Sequence, residues 1–320
     1  DGEWKSPRIV PRKPLKVDPA ALGLHYGQSV FEGLKAYRGT GDNRIRLFRP
    51  DRNAQRLAAS CNRLCIPAPD PAQLVDWIRS LVAVEAKWIP AQFGEALYIR
   101  PMIFATEGHL AVRPANRYTL VIVAAPVGQY FAQYGRPLRV KAEDRYTRAA
   151  SGGTGAAKTA GNYGATLKPM FEAASEGFDQ ILWLDGDEHA YAEEAGQMNI
   201  FFRIGDEVIT PELSGTILPG VTRDSVLSLL KQWGIKATAR RISMAELRKA
   251  AESESLLEIF GAGTAAVVVP VDSIQYQDFD IRACPPSANS LSQRLFQSLL
   301  GIQHGQVDDT NNWIQFVDIE

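Results

Sequence analysis

Apolar and polar positions fall into short blocks along the chain, and the helical and strand periods replace one another several times. Residues 51–65, "DRNAQRLAASCNRLC", carry Ala54, Leu57, Ala58, Cys61, Leu64 and Cys65 at spacings of three and four, which predicts a helix with one apolar stripe. Asp70 and Pro71 supply an N-cap and a proline at the first helical position, opening a second helix through about Trp88. Strands are predicted where β-branched and aromatic residues cluster: "SVFEGLKAYR" and "RIRLF" before the first helix, "ALYIRPMIFA" and "RYTLVIVAAPV" after the second.

Residues 128–137, "GQYFAQYGRP", mix glycine, proline and polar residues with aromatics and read as a connector between two domains, 1–127 and 138–320. Beyond it the pattern is β-rich: "PLRVK", "QILWLDG", "MNIFFRI", "EVITP", "KATARRI", "LLEIFG" and "TAAVVVPV". Helices interrupt at about 162–176, 222–234, 243–252 and 288–300. Strands and helices are interspersed without a strict strand–helix–strand rhythm, which predicts an α+β fold rather than a doubly wound sheet.

Composition narrows the function. The 320 residues hold 45% hydrophobic and 22% charged positions, ordinary for a globular protein with a sizeable core. Lys plus Arg is 35 against 36 for Asp plus Glu, a net charge of -1, which lends no support to nucleic acid or an anionic membrane as partner. Cys61, Cys65 and Cys284 are sparse, and the first two are spaced to share one helix face. Burial is favoured over a disulfide or a metal pair, so a reducing, cytoplasmic setting and no metal site are expected. The longest apolar runs are too short to cross a bilayer, and no signal-peptide pattern opens the sequence. Residue 1 is Asp rather than Met, so native amino-terminal residues are expected to precede it.

The glycine-rich stretch "SGGTGAAKTAGNYG", residues 151–164, holds the first candidate chemistry. A P-loop can be laid from Gly152 to Thr159, with Ala157 where its second glycine belongs. A P-loop needs a buried apolar strand leading in, and the charged "VKAEDRYTRAAS" stands there instead. Small residues crowd Lys158 on both sides: Gly155, Ala156, Ala157, Ala160 and Gly161. They let a bulky group approach and offer the amine little water, conditions under which a lysine becomes a Schiff-base nucleophile. The loop alone leaves a solvated surface lysine open as well.

A pyridoxal phosphate enzyme also needs an acid for the pyridine nitrogen and backbone amides for the phosphate. Glu193 and Glu194 head "EEAGQMNIFF" and point to opposite faces of a strand, so one of them can face a cofactor. Two solvated loop acids would read the same way. "GTILPGVTRDSVLSLLKQWG" turns at Pro219-Gly220 before a helix expected from near Asp224, leaving Val221 and Thr222 amides for an anion, or Thr222 as a simple N-cap. Gly263-Thr264-Ala265 lies between two strands and allows close approach to a ligand.

Taken together and in this order, these motifs resemble the branched-chain amino acid aminotransferases, the fold-type-IV family of pyridoxal phosphate enzymes. The resemblance runs from "DGEW" through "LHYGQSVFEGLKAYR", "LFRPDRNAQRLAASCNRLCIP", "LYIRPMIFATEG" and "GGTGAAKTAGNYG" to "EEAGQMNIFF", "ILPGVTRDSVLSL" and "FGAGTA". It implies that Lys158 bonds the cofactor and later carries a proton between substrate Cα and cofactor C4′. Glu194 is implied as the pyridinium partner, because Glu194, Gly196 and Asn199 meet the E-x-G-x-x-N spacing; Glu193 is then the less favoured acid. Tyr163 matches the tyrosine near the cofactor's phenolic oxygen. Arg56, Val221, Thr222 and Thr264 match the phosphate positions, Arg56 lying off the apolar stripe and able to reach a ligand. Tyr26, Phe31, Tyr98 and Tyr130 resemble the aromatic walls of the side-chain pocket. Ala265, with Thr264, would present amides to the α-carboxylate, and Arg100 would meet the distal carboxylate of glutamate.

Two departures stand out. Residues 266–269 are "AVVV" where mammalian members carry a C-x-x-C pair, and Ala262 replaces a common serine; both bring the chain nearer bacterial members. The resemblance implies a ping-pong transaminase acting on leucine, isoleucine or valine and 2-oxoglutarate. It further implies a smaller amino-terminal α/β domain, a larger β-rich carboxy-terminal domain with the cofactor in the cleft, and at least a homodimer. A D-amino acid transaminase and an aminodeoxychorismate lyase share that fold and are the near alternatives; "FEGLKAYR" with "YIRP" favours the branched-chain enzyme. A nucleotide-binding module using Gly152–Thr159 is the remote one.

Overall fold

The computed structural model describes residues 3–5, 7–128, 136–284 and 290–319. Two compact units divide the chain, one of Asp1–Gly128, Ala157–Gly161 and Gly301–Glu320, the other of Gln129–Ala156 and Asn162–Leu300. In the first unit a short helix α1 (Leu22–His25) precedes strands β1 (Ser29–Phe31), β2 (Leu34–Arg38) and β3 (Ile45–Phe48). Helices α2 (Pro50–Arg63) and α3 (Pro71–Val84) follow, with a 3-10 turn at Ala86–Trp88, then β4 (Ala96–Ala105) and β5 (Tyr118–Val127). The strand expected over residues 29–38 is thus two strands, broken at Glu32-Gly33.

Apolar stripes of α2 and α3 explain the packing of this unit. Ala54, Leu57 and Cys61 from α2, and Leu74, Ile78 and Val82 from α3, are buried with Leu34, Leu47, Leu97 and Ile99 of the sheet. Asp70 caps α3 as expected, accepting from the Ala72 and Gln73 N–H groups. The expected pairing of Cys61 and Cys65 on one face is corrected: Cys61 is buried and Cys65 exposed. The helix stops at Arg63, Cys65 takes a left-handed φ of 53°, and the Ile66 N–H closes back on Cys61 O. Ile66, not Cys65, is buried with Ala54, Leu57 and Cys61.

The second unit begins with β6 (Leu138–Glu143), α4 (Ala160–Gly164, its first two residues counted with the first unit), α5 (Leu167–Ser175), β7 (Gln180–Leu184), β8 (Ala192–Ala195), β9 (Met198–Ile204) and β10 (Glu207–Thr210). It continues through α6 (Val221–Gln232), β11 (Lys236–Ala239), α7 (Met244–Glu252), β12 (Leu256–Gly263), β13 (Val267–Tyr276), β14 (Phe279–Arg282) and α8 (Leu291–His304), whose residues from Gly301 on belong to the first unit. Its sheet runs β11-β10-β9-β12-β13-β6-β7-β8, and β8 pairs back onto β9, closing a ring of strands. Parallel pairs (β13/β6, β6/β7, β10/β11) mix with antiparallel ones, so the fold is α+β, as the interspersed pattern predicts. "EEAGQMNIFF" is a hairpin rather than one strand: Gly196 has φ +58°, and Glu194 lies opposite Asn199. The helix expected over 162–176 is two helices, parted at residues 165–166.

A last strand, β15 (Ile314–Val317), pairs antiparallel with β3, Ile314 opposite Phe48 and Val317 opposite Ile45. That pairing, with the bridge between Val30 and Thr159, puts residues 301–320 and 157–161 in the first unit; the expected boundary had placed all of 138–320 together. His304, fully buried, joins the same unit: its Nε2 accepts from the Gly94 N–H and its Nδ1 donates to Arg38 O, both at 3.0 Å. Of the expected connector 128–137, residues 129–135 lie outside the described residues. Among the described residues no helix is long and apolar enough to cross a membrane.

Candidate functional site

In the first unit Lys158 is fixed by its backbone. Its N–H donates to Ser60 Oγ at 2.9 Å, its carbonyl accepts from the Phe31 N–H at 3.0 Å, and Thr159 Oγ1 donates to Ser29 O at 2.7 Å. The strand end at Phe31 and the buried turn of α2 therefore hold the lysine's main chain from two sides. Lys158 Nζ stands 5.0 Å from the centroid of the Phe31 ring, and Arg100 Cζ stands 4.8 Å from it. Arg100 also donates to Tyr98 Oη at 2.7 Å. Lys158, Phe31, Tyr98 and Arg100 are thus brought together, two cations on one aromatic ring. Among the described residues the buried Nε of Arg100 has no hydrogen-bond partner. Gly33 makes room for this arrangement: a Cβ there would overlap the Tyr98 hydroxyl.

Arg56 is not the exposed helix arginine that the stripe alone would allow. Its side chain is 9% exposed and grips Glu32 twice, Nε to Oε1 at 2.7 Å and Nη2 to Oε2 at 2.9 Å. Asn53 Nδ2 and the Gly33 N–H also donate to Glu32 Oε2, at 2.8 and 3.1 Å. Burial would push the Glu32 carboxyl up, but the charge and hydrogen bond of Arg56, the charge of Lys158 and the amide of Asn53 together hold it below the usual carboxylate range. Glu32, Asn53 and Ser60 were not signalled by the sequence; the one hint was an acid set between apolar residues in "VFEGL". Tyr26 stands apart from this group, exposed and with its hydroxyl donated to Leu110 O at 2.6 Å. Tyr130 lies outside the described residues.

A second group forms within the second unit. Both glutamates of β8 are buried, which removes the solvated-loop alternative. Glu194 Oε2 meets Arg148 Nη2 at 2.7 Å, and its Oε1 accepts from Asn199 Nδ2 at 3.2 Å. Asn199 is itself held by a bond to Leu218 O at 3.0 Å. Glu193 points the other way, its Oε1 accepting from Thr216 Oγ1. Burial, with the negative charge of Glu194 added, pushes the Glu193 carboxyl up to about 7. Arg148 and Thr216 carry no motif and were missed by sequence reasoning.

Helix α6 starts at Val221, three residues before the expected start near Asp224, with Gly220 at the N-cap and no side-chain cap. Thr222 is therefore the second helical residue and not an N-cap. A Cβ at Gly220 would overlap Asn199 Oδ1, so only glycine lets the helix start this close to the amide that steadies Glu194. The amino end of a helix without a side-chain cap is suited to an anion. Thr264 and Ala265 occupy the turn between β12 and β13, and Tyr163 lies in α4.

Comparison with known proteins bears on both groups. A model of the family described as amino-transferase class IV matches residues 29–274. Branched-chain-amino-acid aminotransferase 2 of Bacillus subtilis (strain 168) is 46% identical over 313 residues, covering 98% of this chain and 86% of that protein. Among solved structures, the T.th. branched-chain amino acid aminotransferase with pyridoxamine 5′-phosphate is similar at a TM-score of 0.82 and 28% identity, covering 97% of this chain and 96% of that one. The same T.th. enzyme complexed with N-(5′-phosphopyridoxyl)-L-glutamate gives 0.81 and 27%, with the same coverage.

Proposed function

The chain belongs to the class IV aminotransferase family, and on that premise we propose that it exchanges amino groups between leucine, isoleucine or valine and 2-oxoglutarate, with pyridoxal 5′-phosphate as cofactor. The observation that carries this reading is the lysine clamped by Ser60 and Phe31 beside the Phe31 ring; the 46% identity to a branched-chain enzyme over nearly the whole chain supports the substrates.

The residues present fit such a group. A lysine with a fixed main chain, a buried carboxylate steadied by Arg148 and Asn199, and a helix start with glycine at its cap supply an amine, an acid partner and an anion seat. When bound, pyridoxal phosphate supplies an electron sink for the negative charge that develops at the substrate's Cα. Lys158 Nζ would hold the cofactor and would be the base that moves the Cα proton. Glu194 would hold a proton on the ring nitrogen, Tyr163 would donate to the phenolic oxygen, and these roles follow the positions named from the resemblance. Val221, Thr222, Thr264 and Arg56 would hold the phosphate. Phe31 and Tyr98 would wall the aliphatic side chain, Arg100 would receive the distal carboxylate of glutamate, and Ala265 with Thr264 would orient the α-carboxylate. One site then accepts an apolar and an acidic side chain in alternate half-reactions. The reading extends to a cytoplasmic enzyme, at least a homodimer, whose free cysteines stay reduced, and to the two units as a smaller amino-terminal and a larger carboxy-terminal domain.

The test is an absorbance scan of the purified protein followed by a panel of amino acids. A visible band bleached by L-leucine and L-glutamate but not by D-alanine is expected, and Lys158→Ala should lose it. Bleaching by D-alanine alone, or pyruvate release from aminodeoxychorismate, would move the protein to the D-amino acid transaminases or the lyases.

A further inference from the structure

We infer that Glu193 is a positioning residue for Glu194: it holds Thr216, and Thr216 holds Arg148 against Glu194. The inference rests on the functional reading above, which makes Glu194 the acid that faces the cofactor. Adjacent strand residues point to opposite faces, so the polar route from Glu193 to its neighbour runs around the strand.

That route is continuous. Glu193 Oε1 accepts from Thr216 Oγ1, which also pairs with Ser214 Oγ at 2.7 Å. The Thr216 carbonyl accepts from Arg148 Nη1 at 2.9 Å, while Arg148 Nη2 reaches Glu194 Oε2 at 2.7 Å. The same turn seats the chain leading toward the lysine. Gly215 O accepts from the Ala156 N–H at 3.0 Å, and a Cβ on Gly155 would overlap the Thr216 backbone. Ser214–Thr216 is therefore a hub with Arg148 on one side and residues 155–156 on the other, and Glu193 is the buried group that ties down its side chain.

Charge agrees with this geometry. Glu193 is faced by Glu194 on its own strand, by Arg148, and by Asp185 just beyond β7; Arg223 of α6 adds its charge at Glu194. Burial and the Glu194 charge favour the protonated form of Glu193, which keeps the hydroxyl link and competes less with Glu194 for Arg148. A carboxamide at this position preserves the link, and an alanine removes it.

The experiment loads apo-protein with pyridoxal 5′-phosphate, reading affinity by fluorescence titration and the pH midpoint of the visible band. Glu193→Gln should keep affinity within about threefold of wild type and leave the midpoint in place. Glu193→Ala, and Thr216→Val as the isosteric break of the same link, should each weaken loading by roughly tenfold or more. Both should also raise the midpoint by about half a pH unit, because Arg148 no longer neutralises Glu194. If Glu193→Ala and Thr216→Val load and titrate like wild type, or if Glu193→Gln fails as badly as Glu193→Ala, the inference is overturned. A wild-type protein that takes up no pyridoxal phosphate refutes the functional reading, and this inference with it.

Discussion

The pair of Glu32 and Arg56 gives the sharpest stability test. Glu32 is 1% exposed and Arg56 9%, joined by two short bonds. Breaking a buried pair on one side leaves an uncompensated charge and costs about 3–5 kcal/mol, whereas removing both partners costs far less. The first unit has roughly 150 residues, so an unfolding entropy of about 2.1 cal/mol/K per residue makes each kcal/mol worth about 3 °C. Arg56→Met should therefore lower the melting temperature of that unit by roughly 9–15 °C, and Glu32→Gln by less, because Asn53 and Gly33 can still donate to the amide oxygen. In the double variant about 2 kcal/mol or more of the summed loss should return. Thermal and urea melts of the four proteins measure that coupling, and additivity within about 0.5 kcal/mol would refute the pairing argument. Acid should weaken the pair as well. The folded-state Glu32 carboxyl lies below its ordinary range, so its contribution is present above that range and is lost as pH falls through the folded value.

Arg100→Leu should raise KM for glutamate at least about tenfold and change that for leucine little; equal losses for both would remove its role in the acidic half-reaction. Gly33→Ala should push Tyr98 aside and loosen its bond to Arg100, so glutamate turnover should suffer more than the melting temperature; unaltered kinetics would show that Tyr98 does not steady Arg100. His304 is held neutral, chiefly by burial, with its imidazole below the ordinary range. Its contribution is then full above that range and lost as pH falls below it. The melting temperature of wild type should drop more between pH 7.5 and 5 than that of His304→Gln; identical drops would exclude this histidine as the cause.

Signals carried within one turn or one strand were legible before the structure. The Asp70-Pro71 cap, the apolar stripe of α2 and the small residues around Lys158 each express a local physical requirement, and the interspersed pattern reached the α+β class. Phe31, Tyr98 and Arg100, named through the resemblance, are brought together with Lys158. What escaped depends on partners distant in sequence. Nothing near Glu32 announces that Arg56, 24 residues on, will neutralise it, and Arg148 sits in a charged lead-in that reads as solvated loop. Cys65 continues the helical spacing in letters only, because a left-handed residue ends the turn there. β15 is a short run whose meaning comes entirely from the edge it completes.

That edge bears on how the chain is made. About 270 residues separate β3 from β15, and at roughly 5–20 residues per second the ribosome needs some 15–50 s to deliver the missing strand. Through that interval the nascent sheet ends in β3, an open hydrogen-bonding edge of the kind that recruits other chains. Arg44 and Arg46 stand at its start and within it, as charges that discourage such pairing. The first unit to emerge is thus among the last to be completed, and its yield during synthesis should depend on how long that edge is kept from finding the wrong neighbour.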